Sequence, residues 1–263
     1  MYQEIEIEEY FEGKIAIAYL NQPQSFNSLN RTMLKELYQF VEAYEGKEHI
    51  HCLAISGRGK AFCSGQNLKD ILDVNLSEDT IASIMNDYYN PLVKKIAESS
   101  KPIISLVNGP AVGAGAMLAL ICDFSIATES AYFSQAFVNI GLIPDTGGTY
   151  FLPRLLGRQM ANYLAFTGVK VSAAEALQLG LIAKVFPDED FESQSFEILE
   201  QLSNAPTLAI GLMKRAMSMS SQNTLDAQLS LESELQQVAS ETQDFKEGVN
   251  AFLEKRKPVY RGE

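Results

Sequence analysis

The 263-residue sequence has no tryptophan, only three cysteines and two histidines, and 21 basic residues against 33 acidic ones. The formal net charge of −12 argues against nucleic acid and anionic lipid as partners, because both require a basic surface. A few local lysines or arginines can still hold the phosphates of a small polyanion despite that net charge. The charge therefore disfavours nucleic-acid binding and leaves a phosphorylated small molecule open.

Disulfide patterns and long apolar runs are also missing. Cys52, Cys63 and Cys122 are odd in number and lie outside any CxxC pattern, which favours reduced thiols in a cytosol-like compartment. The longest apolar run, residues 112–122, is too short to span a membrane, and the acidic start MYQEIEIEEY is unlike a signal peptide. No histidine, cysteine and carboxylate cluster has the spacing of a metal site. We therefore expect a cytoplasmic protein without membrane or metal.

The apolar pattern predicts an α/β protein with a helical end. Alternating residues around positions 12–13 predict a β-hairpin, residues 30–43 and 77–99 have helical spacing, and residues 50–56 and 101–109 predict strands. Strand, loop and helix alternate in this way to about residue 186. Four helical segments then follow. We expect an α/β core over residues 1–187 and a helical region over 188–263, packed on the core or on a neighbouring subunit.

The segment GKAFCSGQNLKD, residues 59–70, joins a strand to a predicted helix that begins at Leu68. Exposed backbone N–H groups at such a junction can bind a developing negative charge. An ordinary turn that uses Gly65 for a positive φ explains the same residues.

The segment NGPAVGAGAMLAL, residues 108–120, places Gly113, Ala114 and Gly115 directly before a helix. Their N–H groups belong to its unpaired first turn, and their small size allows close approach of a ligand. Close packing of the helix is an equally good explanation. The segment is not a dinucleotide-binding fingerprint, because Leu118 occupies the third glycine position.

The segment NIGLIPDTGGT contains a single carboxylate, Asp145, in an apolar and glycine-rich run. An aspartate beside such a turn commonly caps a helix, here the helix predicted at GGTYFL. It can instead be a catalytic carboxylate in a poorly solvated pocket, where desolvation raises the pKa and makes the group a stronger base near neutral pH.

These segments in this order, AFCSGQNL, NGPAVGAGAMLALICDFSIAT, FSQAFVNIGLIPDTGGTYFLPRLLG and SAAEALQLGLIAKVF, resemble the crotonase (enoyl-CoA hydratase/isomerase) superfamily over essentially the whole chain. The resemblance implies a spiral of ββα units whose C-terminal helices assemble a homotrimer or a dimer of trimers. It also implies a coenzyme A thioester as the substrate and no permanently bound cofactor.

The resemblance assigns roles to individual residues. The backbone N–H groups of Gln66 and Ala114 match an oxyanion hole that stabilises a thioester enolate, a device that is worth about 10²–10³ in rate per donor. Contacts with CoA fall on seven further positions, of which the last two often come from an adjacent subunit in the family: Phe26, Ser64, Gly65, Asn67, Leu68, Phe252 and Lys255.

The carboxylates predict the reaction. Hydratases of the superfamily use two glutamates, and the matching positions here are Met117 and Phe137, which cannot transfer protons. Asp145 matches a catalytic aspartate of isomerase branches. The segments most resemble the branch that converts 1,2-epoxyphenylacetyl-CoA to an oxepin and shifts Δ3 double bonds to Δ2. Met117, Leu118 and Phe137 would then surround an apolar acyl group.

Other members of the superfamily remain as alternatives. A hydratase, or an inactive CoA-binding relative, would explain the same motifs. A dehalogenase would require His and Trp, but the chain lacks Trp, and His49 and His51 are expected at a solvated strand edge far from the site. We therefore expect an isomerase with one catalytic carboxylate, Asp145.

Overall fold

In the computed structural model, which describes residues 2–69 and 80–263, the chain begins with the predicted β-hairpin. Strands β1 (Ile5–Tyr10) and β2 (Ile15–Leu20) pair in antiparallel register, with Ile5 opposite Leu20. The turn between them has positive φ angles at Phe11, Glu12 and Gly13. The side chain of Glu36 fixes the preceding segment, because it accepts hydrogen bonds from the backbone N–H groups of residues 3, 4 and 5.

The hairpin forms the edge of a six-stranded sheet that is otherwise parallel. Its other strands are β3 (Cys52–Gly57), β4 (Ile103–Val107), β6 (Phe124–Thr128) and β9 (Lys184–Phe186), in the order β1-β2-β3-β4-β6-β9. A second sheet of three strands has the order β5-β7-β8 and contains Ala111–Val112, Tyr132–Ser134 and Lys170–Ser172. From β4 to β9 the chain passes repeatedly between the two sheets, with β7 and β8 as consecutive strands of the small sheet, as expected for stacked ββα units.

After position 187 the structure has four successive helices among the described residues, in the number and order that the sequence predicted. In chain order the structure has α1 Arg31–Glu45, α2 Ile81–Ile84, α3 Asn90–Glu98, α4 Ala114–Leu120, α5 Gly148–Thr167, α6 Ala173–Gln178, α7 Phe191–Ser203, α8 Thr207–Ser220, α9 Leu225–Ser240 and α10 Gln243–Glu254. A π-helical segment, Met85–Tyr89, joins α2 to α3, and Gly157 interrupts α5. Residues 68 and 69, where a helix was predicted to begin, are helical, whereas residue 70 and residues 77–79 of the helix predicted over 77–99 lie outside the described part.

The inner strands of the large sheet, from β2 to β6 in the sheet order, are buried on both faces. In β2, Ile15 and Ile17 point to one side and Ala16, Ala18 and Leu20 to the other, since side chains alternate along a strand. The first side packs against α7, through Leu199, and the second side packs against α1 and α4. Strands that are buried on both faces read as continuous apolar runs, which explains the composition of IHCLAIS and KPIISLV.

An ion pair attaches the helical region to the core. The ammonium group of Lys214 in α8 lies 3.0 Å from the carboxylate of Asp123 and 2.9 Å from the carbonyl oxygen of Ile96. Asp123 also accepts a hydrogen bond from the backbone N–H of Ile103 at 2.7 Å. Among the helices described, none is both long and apolar enough to cross a membrane.

The structure corrects one expectation about the histidines. His49 is exposed, but His51, at the start of β3, is only 3% exposed, so the prediction of a solvated strand edge is wrong for it. The carboxyl-terminal residues cover its ring, because a Cβ built on Gly262 would lie 3.4 Å from its Nε2. Burial and the nearby charge of Lys14 lower the pKa of His51.

Candidate active site

The first segment of the site is the turn that carries Gln66. A short parallel bridge joins Gln66 to Leu29: the N–H of Leu29 donates to the carbonyl of Gly65, and the N–H of Asn67 donates to the carbonyl of Leu29, both at 2.8 Å. In a parallel bridge of this kind the N–H of the central residue points away from its partner. The N–H of Gln66 therefore points away from Leu29, and it has no acceptor among the described residues.

The second segment is the start of α4. Gly113 precedes the helix with φ 54° and ψ −124°, a conformation that only glycine adopts readily. Its N–H donates to the carbonyl of Ser134 at 2.8 Å. Ala114 is the first residue of the helix, so its N–H has no intrahelical partner, and in the described part of the chain it has no other acceptor either.

Two glycines bring these segments into contact. A Cβ built on Gly65, which has φ 93°, would lie 2.7 Å from the carbonyl oxygen of Val112 and 3.6 Å from the backbone nitrogen of Ala114. A Cβ built on Gly115 would lie 2.4 Å from the carbonyl oxygen of Cys63. Because neither position has room for a side chain, the unpaired N–H groups of the two segments lie close to each other.

Asp145 lies in the turn before α5. Its backbone carbonyl accepts from the N–H of Gly148 at 2.7 Å, and its Oδ1 accepts from the hydroxyl of Thr146 at 2.8 Å. The N-cap of α5 is Gly147, and no side chain caps the helix, so the alternative role of Asp145 as a helix cap is wrong. Burial raises the pKa of Asp145, and the hydrogen bond from Thr146 offsets part of that rise. The carboxylate is therefore partly desolvated and has one oxygen without a side-chain partner in the described residues.

The turn that holds Asp145 is strained at Thr146. Thr146 has φ 51°, which is rare for a β-branched residue, and its side chain is buried. Strain of this kind persists only where the surrounding structure imposes it, and it is concentrated at functional sites.

Gln66 and Ala114, which carry the two N–H groups, line one cavity of about 220 Å³ together with Asp145. Its walls are mostly apolar, and Asp145 is the one ionisable side chain among the described residues that form them: Ser64, Gly65, Gln66, Leu68, Ile81, Ile84, Met85, Val112, Gly113, Ala114, Ala136, Phe137, Asn139, Ile140, Leu142 and Asp145. Apolar walls leave little water around a charge that develops in the cavity. Such a charge is therefore stabilised mainly by the fixed dipoles of the protein.

The structure brings most of the predicted CoA-binding residues to this cavity or its rim. Ser64, Gly65 and Leu68 line it. The N–H of Ser64 donates to the carbonyl of Phe26 at 2.9 Å, and the ring of Phe26 is 57% exposed beside this turn. Asn67 is half-buried, and its side chain accepts from the N–H of residue 69 at 3.1 Å.

Of the three residues expected around the acyl group, only Phe137 lines the cavity. Met117 and Leu118 are fully buried in α4 and lie outside the cavity lining. Met117 packs behind the start of α5, where its sulfur would lie 3.5 Å from a Cβ on Gly148. Neither the position of Met117 nor that of Phe137 provides a carboxylate.

Phe252 and Lys255 lie elsewhere in the chain. Phe252 is 83% exposed and lines a larger groove, of about 970 Å³, between α8, α9 and α10. Lys255 ends α10 with φ 55°. A single chain therefore does not bring these two residues to the cavity.

Sequence reasoning missed several residues of the site. Ile81, Ile84 and Met85 form one wall, and Ile140 and Leu142 another. Asn27 fixes the loop next to Phe26: it is fully buried in a left-handed conformation, its amide nitrogen donates to the carbonyls of residues 58 and 61, and its Oδ1 accepts from the N–H of residue 22. An asparagine inside the loop FNSLN was the available signal, since asparagine adopts such conformations more readily than most residues.

Comparisons with known proteins agree with this architecture. The model of the enoyl-CoA hydratase/isomerase family matches residues 10–263. The chain belongs to the enoyl-CoA hydratase/isomerase family. It is 41% identical over 254 residues to a 1,2-epoxyphenylacetyl-CoA isomerase of Escherichia coli K12, covering 96% of this chain and 97% of that protein. It is also 41% identical over 254 residues to a probable enoyl-CoA hydratase of Rhodobacter capsulatus, covering 97% and 96%.

The solved structures confirm the fold. The chain superposes on an enoyl-CoA hydratase from Bacillus anthracis with a TM-score of 0.92 and 32% identity, over 99% of this chain and 100% of that one. This enoyl-CoA hydratase/isomerase family protein therefore has the crotonase-like fold that its sequence predicts, and it is an enzyme of a family that acts on CoA thioesters. Among the described residues, no three His, Cys, Asp or Glu side chains are grouped as metal ligands.

Proposed function

We propose that this protein is an acyl-CoA isomerase that forms a thioester enolate and uses Asp145 as its acid and base. The observation that carries the proposal is the cavity itself, where one carboxylate lies among apolar walls together with Gln66 and Ala114, whose backbone N–H groups have no acceptor among the described residues. A 1,2-epoxyphenylacetyl-CoA isomerase is among the relatives that share 41% of its residues.

The proposed reaction begins with binding of the thioester. Its carbonyl oxygen accepts hydrogen bonds from the N–H groups of Gln66 and Ala114. The ionised carboxylate of Asp145 removes a proton from the carbon next to the carbonyl, and the electron pair moves onto the oxygen, where the two N–H groups stabilise the enolate. The same carboxyl group, now protonated, returns the proton to a different carbon. A 3-enoyl ester becomes a 2-enoyl ester, with no net gain or loss of atoms.

The burial of Asp145 suits this role. A raised pKa makes the carboxylate a stronger base, and the group can hold the proton between the two transfers. The apolar walls keep water away from the enolate. The cavity is large enough for a short or flat acyl group, which fits a 3-enoyl chain or the ring of 1,2-epoxyphenylacetyl-CoA, while the nucleotide part of the ester stays outside.

Hydration is the second candidate, because the relatives include probable and short-chain enoyl-CoA hydratases. Adding water across a double bond requires groups that orient, deprotonate and reprotonate it. The chain has Met117 and Phe137 where the resemblance to hydratases places those glutamates. Asp145 alone would have to do this work, so we expect hydration to be slow.

We also propose that the active enzyme is a homotrimer or a dimer of trimers that acts in the cytoplasm. The exposed apolar groove of α8, α9 and α10 would be covered in such an assembly. Phe252 and Lys255 of one chain would then reach the CoA bound by another, together with Phe26, Ser64, Gly65, Asn67 and Leu68 of that chain. Sedimentation as a monomer would contradict this arrangement. Three buried thiols without disulfide partners are consistent with a reducing compartment.

Product analysis tests the proposed reaction. The purified protein is incubated separately with a 3-enoyl-CoA, a 2-enoyl-CoA and 1,2-epoxyphenylacetyl-CoA, and the products are separated by liquid chromatography with mass detection. We expect a new ester of unchanged mass from the 3-enoyl substrate or the epoxide. A product that is heavier by one water, formed at a comparable rate from the 2-enoyl ester, would instead establish a hydratase.

A further inference from the structure

The side chain of Gln66 is held at both ends of its amide. The buried phenol of Tyr89 donates a hydrogen bond to its Oε1, and its Nε2 donates to the carbonyl of Asn67 at 3.2 Å. The backbone N–H of the same residue is one of the two proposed donors to the substrate oxygen. Gln66 therefore has both a hydrogen-bond donor, its backbone N–H, and an acceptor, its side-chain Oε1, beside the cavity. Only the donor can stabilise the oxygen of the substrate.

The π-helical segment positions Tyr89 for this contact. The N–H of Asn90 bonds to the carbonyl of Met85, five residues earlier, instead of four as in an α-helix. The wider turn changes the angle between Met85 and Tyr89 around the helix axis. Met85 lines the cavity, while Tyr89 packs behind it with 1% exposure and reaches Gln66. Segments of this kind are rare and frequently lie at functional sites.

An unrestrained amide oxygen would compete with the substrate. Gln66 lines the cavity together with Ala114, and a glutamine side chain is long and flexible. The N–H of Ala114 has no acceptor among the described residues, and an unpaired donor in a poorly hydrated site favours any acceptor within reach. The Oε1 of Gln66 is such an acceptor unless another donor holds it.

We propose that Tyr89 is a positioning residue that acts through Gln66: its hydroxyl keeps the amide oxygen of Gln66 away from the oxyanion hole, so that both N–H groups stay available to the thioester. This inference rests on the proposed function, because it assumes that these N–H groups bind an enolate. It does not depend on which acyl-CoA is the substrate.

Enolisation of bound acetoacetyl-CoA tests the inference without turnover. This 3-oxoacyl thioester has an acidic proton between its two carbonyls, and its enolate absorbs in the near ultraviolet. The pH of half-enolisation is measured for the bound ester in the wild type, Tyr89→Phe, Gln66→Ala and the double variant. Tyr88→Phe is the control, because Tyr88 precedes Tyr89 in the same segment and lies outside the cavity lining.

We expect Tyr89→Phe to weaken enolate stabilisation by about 3- to 10-fold, the value of one hydrogen bond, with unchanged affinity for free CoA. In the Gln66→Ala background the same substitution should have no further effect, because no side-chain oxygen is left to restrain. An unchanged Tyr89→Phe enzyme, or a double variant weakened beyond Gln66→Ala alone, would overturn the inference. If the wild type itself does not favour the enolate, the proposed oxyanion hole fails instead.

Discussion

Gly115 is the position where a single methyl group should separate the two halves of the proposed oxyanion hole. In Gly115→Ala the new Cβ would lie 2.4 Å from the carbonyl oxygen of Cys63 and 2.6 Å from its sulfur. Ordinary contacts between such atoms are about 3.5 Å, so the start of α4 must move by about 1 Å. The carbonyl of Cys63 cannot rotate away cheaply, because it accepts a hydrogen bond from the N–H of Val112 at 2.9 Å.

Two effects should follow from this displacement. Overpacking of this kind costs about 1–3 kcal/mol of unfolding free energy. A shift of about 1 Å in the N–H of Ala114 should lower kcat by about 10²-fold, because the donor no longer meets the developing charge.

The assay compares kcat on a 3-enoyl-CoA with urea unfolding. Gly46→Ala is the matched control, since a Cβ at Gly46 meets no atom within 4 Å and its φ of −75° suits any residue. We expect the control to retain normal kcat and stability. If Gly115→Ala is folded and keeps the wild-type kcat, the two segments do not form the oxyanion hole that we infer.

Three further substitutions test other parts of the structure. Thr146→Val removes a hydrogen bond that lowers the pKa of Asp145, so the acid limb of kcat/KM should move to higher pH; an unchanged limb would show that Asp145 is not the titrating base. Glu36→Ala removes three hydrogen bonds to the backbone at the start of the chain and should lower the unfolding free energy in urea by at least about 1.5–3 kcal/mol, the value of a single bond to a charged group. Lys214→Met leaves Asp123 without its cation and should lower the unfolding free energy by about 2 kcal/mol. An unfolding free energy equal to that of the wild type would contradict the role of this ion pair in holding the helical region.

Local patterns predicted much of the fold. The alternation in IEIE and KIAIAYLN predicted the hairpin, and helical spacing predicted four helices after residue 187. The π-helical turn at Met85–Tyr89 was not predicted, because one extra residue in a helical turn hardly changes apolar spacing over a short segment. The burial of His51 was also missed, since it depends on the carboxyl-terminal residues, which are distant in sequence.

The site was predictable where its function depends on the backbone. Glycines at 65, 113 and 115 mark positions where the chain must pass closely or adopt a positive φ, and these constraints leave a trace in the sequence. The surroundings of a side chain are harder to predict from the sequence. Met117 and Leu118 are apolar both in a cavity wall and in the interior, so composition could not show that they lie behind the wall. The sequence alone could not distinguish a catalytic role of Asp145 from helix capping, and the structure did so by showing that Gly147 is the N-cap of α5.

The charge on Asp145 should also have a thermodynamic cost. Because burial raises its pKa, the folded state binds a proton more tightly than the unfolded state does. The destabilisation is fully present above the folded-state pKa and decreases as the pH falls through that value towards the unfolded-state pKa. Asp145→Asn should therefore be at least as stable as the wild type at neutral pH, so that lost activity cannot be attributed to unfolding.

The most direct test of the central claim is the turnover of a 3-enoyl-CoA by Asp145→Asn. Asp190→Asn is the matched control, because Asp190 is exposed and its side chain makes no capping bond. With one carboxylate as both acid and base, we expect Asp145→Asn to bind CoA esters normally and to lose isomerisation by at least about 10³-fold, while the control is unaffected. Normal isomerisation by Asp145→Asn would contradict the assignment of Asp145 as the catalytic acid and base.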